Sequence, residues 1–173
     1  MSDVRAENAG PSEEPGVAGK VRILFLCTGN SCRSQMAEGW TRHLKGGRVE
    51  AYSAGIEPRG LDPRAVAVMA EAGVDISAQN SKHVDEVRDV GFDYVVTVCD
   101  HAHEHCPLFP GATRMVHVGF DDPPRLAAGA RNEQQALAHY RRVRDEIKAF
   151  VERLPDSLAE TPPREWREAP DFP

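Results

Sequence analysis

The chain has 173 residues, of which 40% are hydrophobic and 28% are charged, a composition that predicts one globular domain with its own core. Its formal net charge of −6 argues against extended nucleic-acid binding, which requires a basic surface. No stretch approaches the roughly 18 apolar residues of a membrane span, and residues 1–19 lack the apolar core of a signal peptide, so a cytoplasmic protein without membrane contact is expected.

Composition divides the chain into a central domain and two tails. Residues 1–19 are rich in Gly, Pro, Glu and Ala with almost no large apolar residue, and residues 156–173 are rich in proline. Such segments cannot bury enough apolar surface to fold on their own. We therefore expect a folded domain over 20–155, between a disordered amino-terminal tail and a proline-rich carboxyl-terminal tail.

Strand and helix patterns alternate along the central domain. The clearest strands are the apolar runs 21–26 and 94–98, and weaker candidates lie at 49–53 and 114–118. Apolar periodicity and capping residues predict helices over 31–44, 63–73, 81–90 and 132–154. This alternation predicts an α/β fold with a parallel sheet and helices on both of its faces.

Each of the two clearest strands is followed directly by a cysteine, Cys27 or Cys99. Ligands of open parallel sheets bind beyond the carboxyl ends of the strands, so the two thiols are expected at the same edge. The remaining cysteines are Cys32 and Cys106. Permanent disulfides are rare in a reducing compartment, so the four cysteines require a role other than cross-linking.

The loop that begins at Cys27 has the composition of an oxyanion site with its own nucleophile. Cys27 and Arg33 are separated by five residues, whose backbone N–H groups can surround one tetrahedral anion at the start of a helix. Arg33 can bind two oxygens at once, and the same positive field is expected to lower the pKa of Cys27. Gly29 permits the tight backbone path, and Ser34 can donate its hydroxyl to the Cys27 sulfur. The expected substrate-binding residues are Thr28, Gly29, Asn30, Ser31, Cys32 and Arg33.

The loop and four other segments resemble the low-molecular-weight tyrosine phosphatase superfamily, and within it the thioredoxin-coupled arsenate reductase branch. The loop segment is 26–40, and the others are 52–57, 95–99, 119–123 and 142–147. The resemblance covers residues 20–154. It implies an open four-stranded parallel sheet flanked by helices on both faces, with the first and third strands adjacent. It also implies arsenate as substrate, thioredoxin or a similar dithiol as reductant, no cofactor, and Asp122 as the acid opposite the nucleophile.

Cys99 and Cys106 distinguish a reductase from a phosphatase, because reduction must supply two electrons. We expect Cys27 to bond to arsenic, Cys99 to attack Cys27 and release arsenite, and Cys106 to attack Cys99 in turn. A helix over 99–106 would separate the last two thiols by about 10.5 Å along its axis, beyond the roughly 7 Å between Cα atoms that a disulfide tolerates. The segment is therefore expected to be helical when reduced and looped when oxidised.

Three other interpretations remain open. A low-molecular-weight tyrosine phosphatase would use the same loop, although Pro124, Arg125 and Leu126 follow the Asp-Pro pair where those enzymes usually have aromatic residues. His101, His103 and His105 between two cysteines form a credible soft-metal cluster, or a solvated polar turn. A sensor of arsenic or redox state without turnover is the third.

Two features near the loop have simpler interpretations. Cys32 has no redox role in the superfamily and is expected to fill space. Some relatives bind potassium near the loop, and Asn30, Glu38 and Ser53 match three of its ligands, while Lys82 replaces a fourth, acidic one. The Lys82 ammonium would substitute for the cation, so activity should be insensitive to potassium.

No apolar stripe is left exposed once the predicted helices are packed, which favours a monomer.

Overall fold

The structure, a computed structural model, describes residues 19–106, 109 and 113–160. The predicted amino-terminal tail, apart from Gly19, and residues 161–173 of the carboxyl-terminal tail lie outside the described residues. The strands are β1 (Val21–Cys27), β2 (Val49–Gly55), β3 (Tyr94–Thr97) and β4 (Arg114–His117). The helices are α1 (Arg33–Lys45), α2 (Pro63–Glu71), α3 (Asp100–Glu104), α4 (Pro123–Ala127), α5 (Glu133–Glu152) and α6 (Asp156–Glu160).

All four strands pair in parallel, in the order β2-β1-β3-β4. The expected four-stranded α/β fold is confirmed, including the adjacency of the first and third strands. Residues 23–26 of β1 are completely buried because β1 has a neighbouring strand on either side and helices above and below. This burial explains why β1 is a continuous apolar run rather than an alternating one.

The chain changes its direction of progress across the sheet between β1 and β3. The β1–β2 connection leads to one side and the β3–β4 connection to the other. Because such crossovers are right-handed, α1 and α3 connect their strands on opposite faces of the sheet. The ends of β1 and β3 therefore border a crevice, which is where open α/β sheets bind ligands. Cys27 ends β1, and Cys99 lies two residues beyond β3.

Capping residues position two of the predicted helices. The Asp62 carboxylate accepts a hydrogen bond of 2.9 Å from the Arg64 amide at the start of α2, and Gly73, with φ 84°, follows its end. Asn132 accepts one of 2.9 Å from the Gln135 amide at the start of α5. The predicted apolar face of α5 is buried along its length and packs against α1, α2 and α4.

The helix predicted over 81–90 is wrong. Only Val84–Glu86 form a short 3₁₀ turn, and the residues before it are extended. The Gly55 amide donates to the Lys82 carbonyl at 2.9 Å, and His83 forms a parallel bridge with Gly55. The segment thus continues the hydrogen bonding of β2. Val84, Val87 and Val90 lie three residues apart, which suggested a helix, but this spacing contains no information about the distant pairing with β2.

The folded region extends past the predicted boundary at residue 155. α6 (Asp156–Glu160) lies in the stretch assigned to the carboxyl-terminal tail, and its Leu158 is buried in the core. No helix in the described part of the chain is long and apolar enough to cross a membrane.

Candidate active site

The loop between β1 and α1 turns every carbonyl from Cys27 to Ser31 outward. The partners, in chain order, are the amides of Ile56 (3.3 Å), Glu57 (2.8 Å) and Arg59 (2.9 Å), the side-chain nitrogen of Gln35 (3.0 Å) and the amide of Asp62 (2.9 Å). In a trans peptide the C=O and the following N–H point in opposite directions. The N–H groups of residues 28–32 are therefore turned toward the centre of the loop, where they can bind an oxyanion.

Asn30 holds this backbone conformation. Its φ of 45° is in the left-handed region, which asparagine tolerates better than most residues, and its side chain is completely buried. Its amide nitrogen donates to Ser34 Oγ at 2.9 Å, and its amide oxygen accepts from the Lys82 backbone at 2.9 Å. The bond from Asn30 is the only hydrogen bond of Ser34 Oγ within the described residues. The predicted bond from Ser34 to the Cys27 sulfur is therefore not formed here.

Residues 79–82 lie behind the loop and fix it from the outside. Ser81 Oγ donates to the Gly29 carbonyl at 3.2 Å, and the buried Gln35 amide bridges the loop to the Asn80 carbonyl at 3.0 Å. Gln79 in turn donates to the side chain of Gln35 at 2.8 Å. The first two residues of the segment predicted as a helix, Ser81 and Lys82, thus belong to the support of the loop.

Cys27 and Cys99 lie together at the end of the sheet, as their positions after β1 and β3 predicted. The contact between the two thiol groups is the largest influence on the pKa of each. It lowers the pKa of Cys99 to about 5, with further help from Thr28 Oγ1 at 3.3 Å and the Ala102 amide at 3.4 Å. The same contact, together with burial, raises the pKa of Cys27. The two thiols titrate as a coupled pair that holds one proton between its two pKa values. Arg33 lowers the pKa of Cys27, as expected, but the contact with Cys99 and burial outweigh it, so the net lowering falls on Cys99.

Arg33 and Asp122 lie together in the cavity over the loop. This cavity has a volume of about 540 Å³. Arg33 is anchored by a hydrogen bond of 2.9 Å to the Phe120 carbonyl, and its other terminal nitrogen is 3.7 Å from the Asp122 carboxylate. Asp122 precedes α4 but makes no capping hydrogen bond, and its side chain is 42% exposed. It is therefore not simply a helix cap, and its carboxylate is available to the cavity.

The other two cysteines differ in accessibility. All four cysteines lie within the described residues and are thiols. Cys32 is buried at the start of α1, and burial, followed by the charge of Asp62, raises its pKa. Cys106 is half-buried two residues beyond α3, and burial raises its pKa to about 12. Of the four cysteines, only the Cys27–Cys99 pair thus has a lowered pKa and can supply a thiolate.

The segment after Cys99 has the conformation expected of its reduced form. α3 is helical over Asp100–Glu104, while the cysteines on either side are thiols. No group of three potential metal ligands occurs among the described residues. The side chains of His101 and His103 lie outside the described part, so the soft-metal interpretation of this cluster stays a prediction.

The Lys82 side chain lies beside Ser53, one of the residues matched to a cation site in the sequence. Its ammonium group donates to the Ser53 carbonyl at 2.9 Å and to the Asn80 carbonyl at 3.0 Å. Ser53 Oγ donates to the buried Glu38 carboxylate at 2.9 Å, which also pairs with Arg42 at 2.7 Å. Lys82 thus places a fixed positive charge on these two carbonyl oxygens.

Sequence reasoning missed several cavity residues. Thr28 was expected to bind substrate through its backbone, but its hydroxyl also binds Cys99. The cavity wall also includes Glu57, Arg59 and Arg125, which had no assigned role. Glu57 and Arg59 belong to the strip of backbone that binds the loop carbonyls, and no local pattern marks such a strip.

The chain is similar to known proteins of one family. The family model "Low molecular weight phosphotyrosine protein phosphatase" matches residues 22–163. The arsenate reductase of Halalkalibacterium halodurans is 51% identical over 134 residues, which cover 75% of this chain and 94% of that protein. A structure of an arsenate reductase in the phosphate-binding state has a TM-score of 0.62 and 30% identity, and covers 81% of this chain and 98% of that one. The thioredoxin-dependent arsenate reductase of Corynebacterium glutamicum has a TM-score of 0.59 and 28% identity, covering 83% of this chain and 65% of that one.

Proposed function

The chain belongs to the low molecular weight phosphotyrosine protein phosphatase family, and from that premise we propose that it is an arsenate reductase. The observation that carries the proposal is the contact between two thiols, Cys27 and Cys99, at an oxyanion loop. Hydrolysis of a phosphate ester needs one nucleophilic sulfur. Reduction of As(V) to As(III) needs two electrons, which is what one disulfide bond releases when it forms. Such thiol chemistry fits a reducing compartment such as the cytoplasm.

In the first step the loop amides and Arg33 bind arsenate, and the Cys27 sulfur attacks arsenic. A sulfur–arsenic bond forms, and one oxygen leaves as water after it receives a proton from Asp122. The Cys27–Cys99 pair holds one proton between its two sulfurs. When that proton is on Cys99, the negative charge is on Cys27, and Cys27 can then attack arsenic. The inward N–H groups stabilise the charge on the remaining oxygens.

In the second step the Cys99 thiolate attacks the Cys27 sulfur. A disulfide forms between them, the sulfur–arsenic bond breaks, and its electron pair stays on arsenic, which leaves as arsenite. Thr28 and the Ala102 amide stabilise the attacking thiolate by hydrogen bonding to Cys99. In the resting protein the contact with Cys27 is the largest cause of the low pKa of Cys99, and these two bonds lower that pKa further. They continue to favour the Cys99 thiolate once Cys27 is bonded to arsenic.

In the third step Cys106 attacks Cys99, and Cys27 leaves as a thiolate. Burial raises the pKa of Cys106, so its thiol must become more exposed before it can act as a nucleophile. The helical α3 has to unwind for the same step, because it holds the two sulfurs apart. The resulting Cys99–Cys106 disulfide is then reduced by an external dithiol, for which we propose thioredoxin.

Phosphatase activity is the alternative function, since the same loop would bind a phosphate ester. The cavity wall carries the charged residues Glu57, Arg59 and Arg125, and Phe120 is its only aromatic residue among those described. Such a wall offers little stacking surface to a phenyl ring. We therefore propose at most a weak phosphatase side activity.

The test is a single turnover of the reduced protein with arsenate, with arsenite quantified and disulfides mapped by mass spectrometry. The proposal predicts about one arsenite per protein and a Cys99–Cys106 disulfide. The absence of arsenite, with four free thiols and rapid hydrolysis of an aryl phosphate, would show a phosphatase instead. Adding thioredoxin and its reductase to the same mixture tests whether turnover becomes continuous.

A further inference from the structure

A chain of three side chains connects the sheet to the first residue of α3. Thr97 Oγ1 at the end of β3 is 2.8 Å from His117 Nδ1 at the end of β4. His117 Nε2 is 3.0 Å from the Asp100 carboxylate. A carboxylate only accepts hydrogen bonds, so Nε2 carries the proton and Thr97 donates to Nδ1 when the imidazole is neutral.

This series of hydrogen-bonded side chains is buried at one end and exposed to solvent at the other. Thr97 is buried in the core, and the His117 side chain is only 15% exposed. The Asp100 side chain, by contrast, is 90% exposed. His117 thus extends a donor held by the sheet to a carboxylate that otherwise faces solvent. Gly119 leaves room for it, since a side chain there would come within 3.3 Å of Nε2.

α3 needs such a support because it is too short to be stable alone. It has five residues, well below the roughly 12 that an isolated helix needs. Its first turn is held by the Ala102 amide on the Cys99 sulfur and by the Asp100–His117 contact. The first of these weakens when Cys99 attacks another sulfur, because the sulfur then loses its negative charge. The His117 contact does not depend on that charge and persists, together with the packing of the buried Ala102.

The far end of the segment is anchored separately. Phe109 packs edge-to-face on Phe92 with ring centroids 6.1 Å apart, and Thr113 Oγ1 donates to the Phe92 carbonyl at 2.7 Å. These contacts do not involve α3. Unwinding of α3 can therefore proceed with the chain still attached near Phe92, provided that the Asp100 end is released.

We propose that His117 is a positioning residue that holds α3 in its helical form and thereby sets the rate at which Cys106 reaches Cys99. This role rests on the proposed function for its consequence in turnover, but the contact itself is a property of the reduced protein. Opening the His117–Asp100 bond precedes the third step, in which Cys106 attacks Cys99 and Cys27 leaves. Loss of the bond therefore accelerates that step and leaves arsenite release unchanged.

The test compares the wild type with His117→Phe, Asp100→Asn and the double variant, and uses His43→Phe as a control at an exposed histidine of α1. Hydrogen exchange of the reduced proteins reads the helix directly. Amides of α3 should exchange about three- to tenfold faster in each variant, and no faster in the double variant than in His117→Phe. His43→Phe should match the wild type. Unchanged exchange of α3 in both single variants would overturn the proposal.

A rapid-quench single turnover with arsenate then reads the consequence. Conversion of the Cys27–Cys99 disulfide to Cys99–Cys106 should be faster in His117→Phe by the same factor, with arsenite release within about twofold of the wild type. A slower or equal conversion would contradict the assigned role. If the wild type forms no arsenite at all, the proposed function fails, whereas the exchange data still decide whether His117 holds α3.

Discussion

Gly55→Ala is a stringent test of the loop geometry, because Gly55 touches the loop backbone directly. A methyl group at this position would lie 2.7 Å from the Thr28 carbonyl oxygen, 2.9 Å from the Asn30 backbone nitrogen and 2.9 Å from the Asn30 Cβ. None of these atoms is the flexible end of a side chain. The loop therefore has to move away from β2 by roughly half an ångström to admit the methyl group.

The displacement should be measurable both in stability and in anion binding. Overpacking of this kind costs about 1–3 kcal/mol of the free energy of unfolding. Misaligning even one charge-assisted hydrogen bond to the anion loses about 1.4 kcal/mol or more, which corresponds to at least about tenfold weaker phosphate binding. Urea unfolding and calorimetric titration with inorganic phosphate measure the two quantities.

Gly47→Ala is the matched control for this substitution. A methyl group at Gly47 meets no atom within 4 Å, so its stability and phosphate affinity should stay within about 0.5 kcal/mol of the wild type. If Gly55→Ala binds phosphate as tightly as Gly47→Ala and unfolds at the same urea concentration, then the loop is not held in the conformation described here.

Three further predictions concern the thiols and Lys82. Thr28→Val removes a hydrogen bond to the Cys99 thiolate, so the pKa of Cys99 should rise from about 5, and its alkylation by iodoacetamide should become half-maximal at a higher pH than in the wild type. An unchanged pH profile would show that Thr28 has no such effect. Because the Lys82 ammonium already binds the two carbonyl oxygens, replacing potassium by tetramethylammonium should change arsenate reduction by less than about twofold, and a several-fold loss would contradict this. Cys106→Ser should release one arsenite per protein and stop with a Cys27–Cys99 disulfide, and continued turnover with thioredoxin would exclude Cys106 from the reaction.

The sequence predicted the parts of the site that depend on local order along the chain. The apolar run of β1, the cysteine after it and the arginine at the start of α1 placed the loop correctly. Even the proximity of Cys27 and Cys99 followed from a general rule about the ends of parallel strands. Each of these inferences needed only the order of strands and helices.

The parts that were missed depend on contacts between distant segments. The stretch over 81–90 was expected to be a helix, but the Lys82 backbone donates a hydrogen bond to Asn30 and accepts one from Gly55, which keeps the beginning of the stretch extended. Ser34 was expected to donate to Cys27, whereas the hydroxyl found at the thiol pair is that of Thr28, which lies 3.3 Å from the Cys99 sulfur. Propensity and spacing cannot predict which partner a side chain finds across the fold, because several partners satisfy the same local pattern.

The geometry of the loop has a consequence for how arsenate and phosphate are distinguished. Backbone N–H groups surround any tetrahedral oxyanion of this size, so the loop alone offers little discrimination between the two. In the proposed reaction the difference arises after the attack by Cys27. A phosphorus–sulfur bond offers no accessible two-electron reduction when Cys99 attacks sulfur, whereas arsenic keeps the electron pair and leaves as As(III). Selectivity of the net reaction would then come from the second thiol beside the loop, and the same loop without that thiol would remain a phosphatase site.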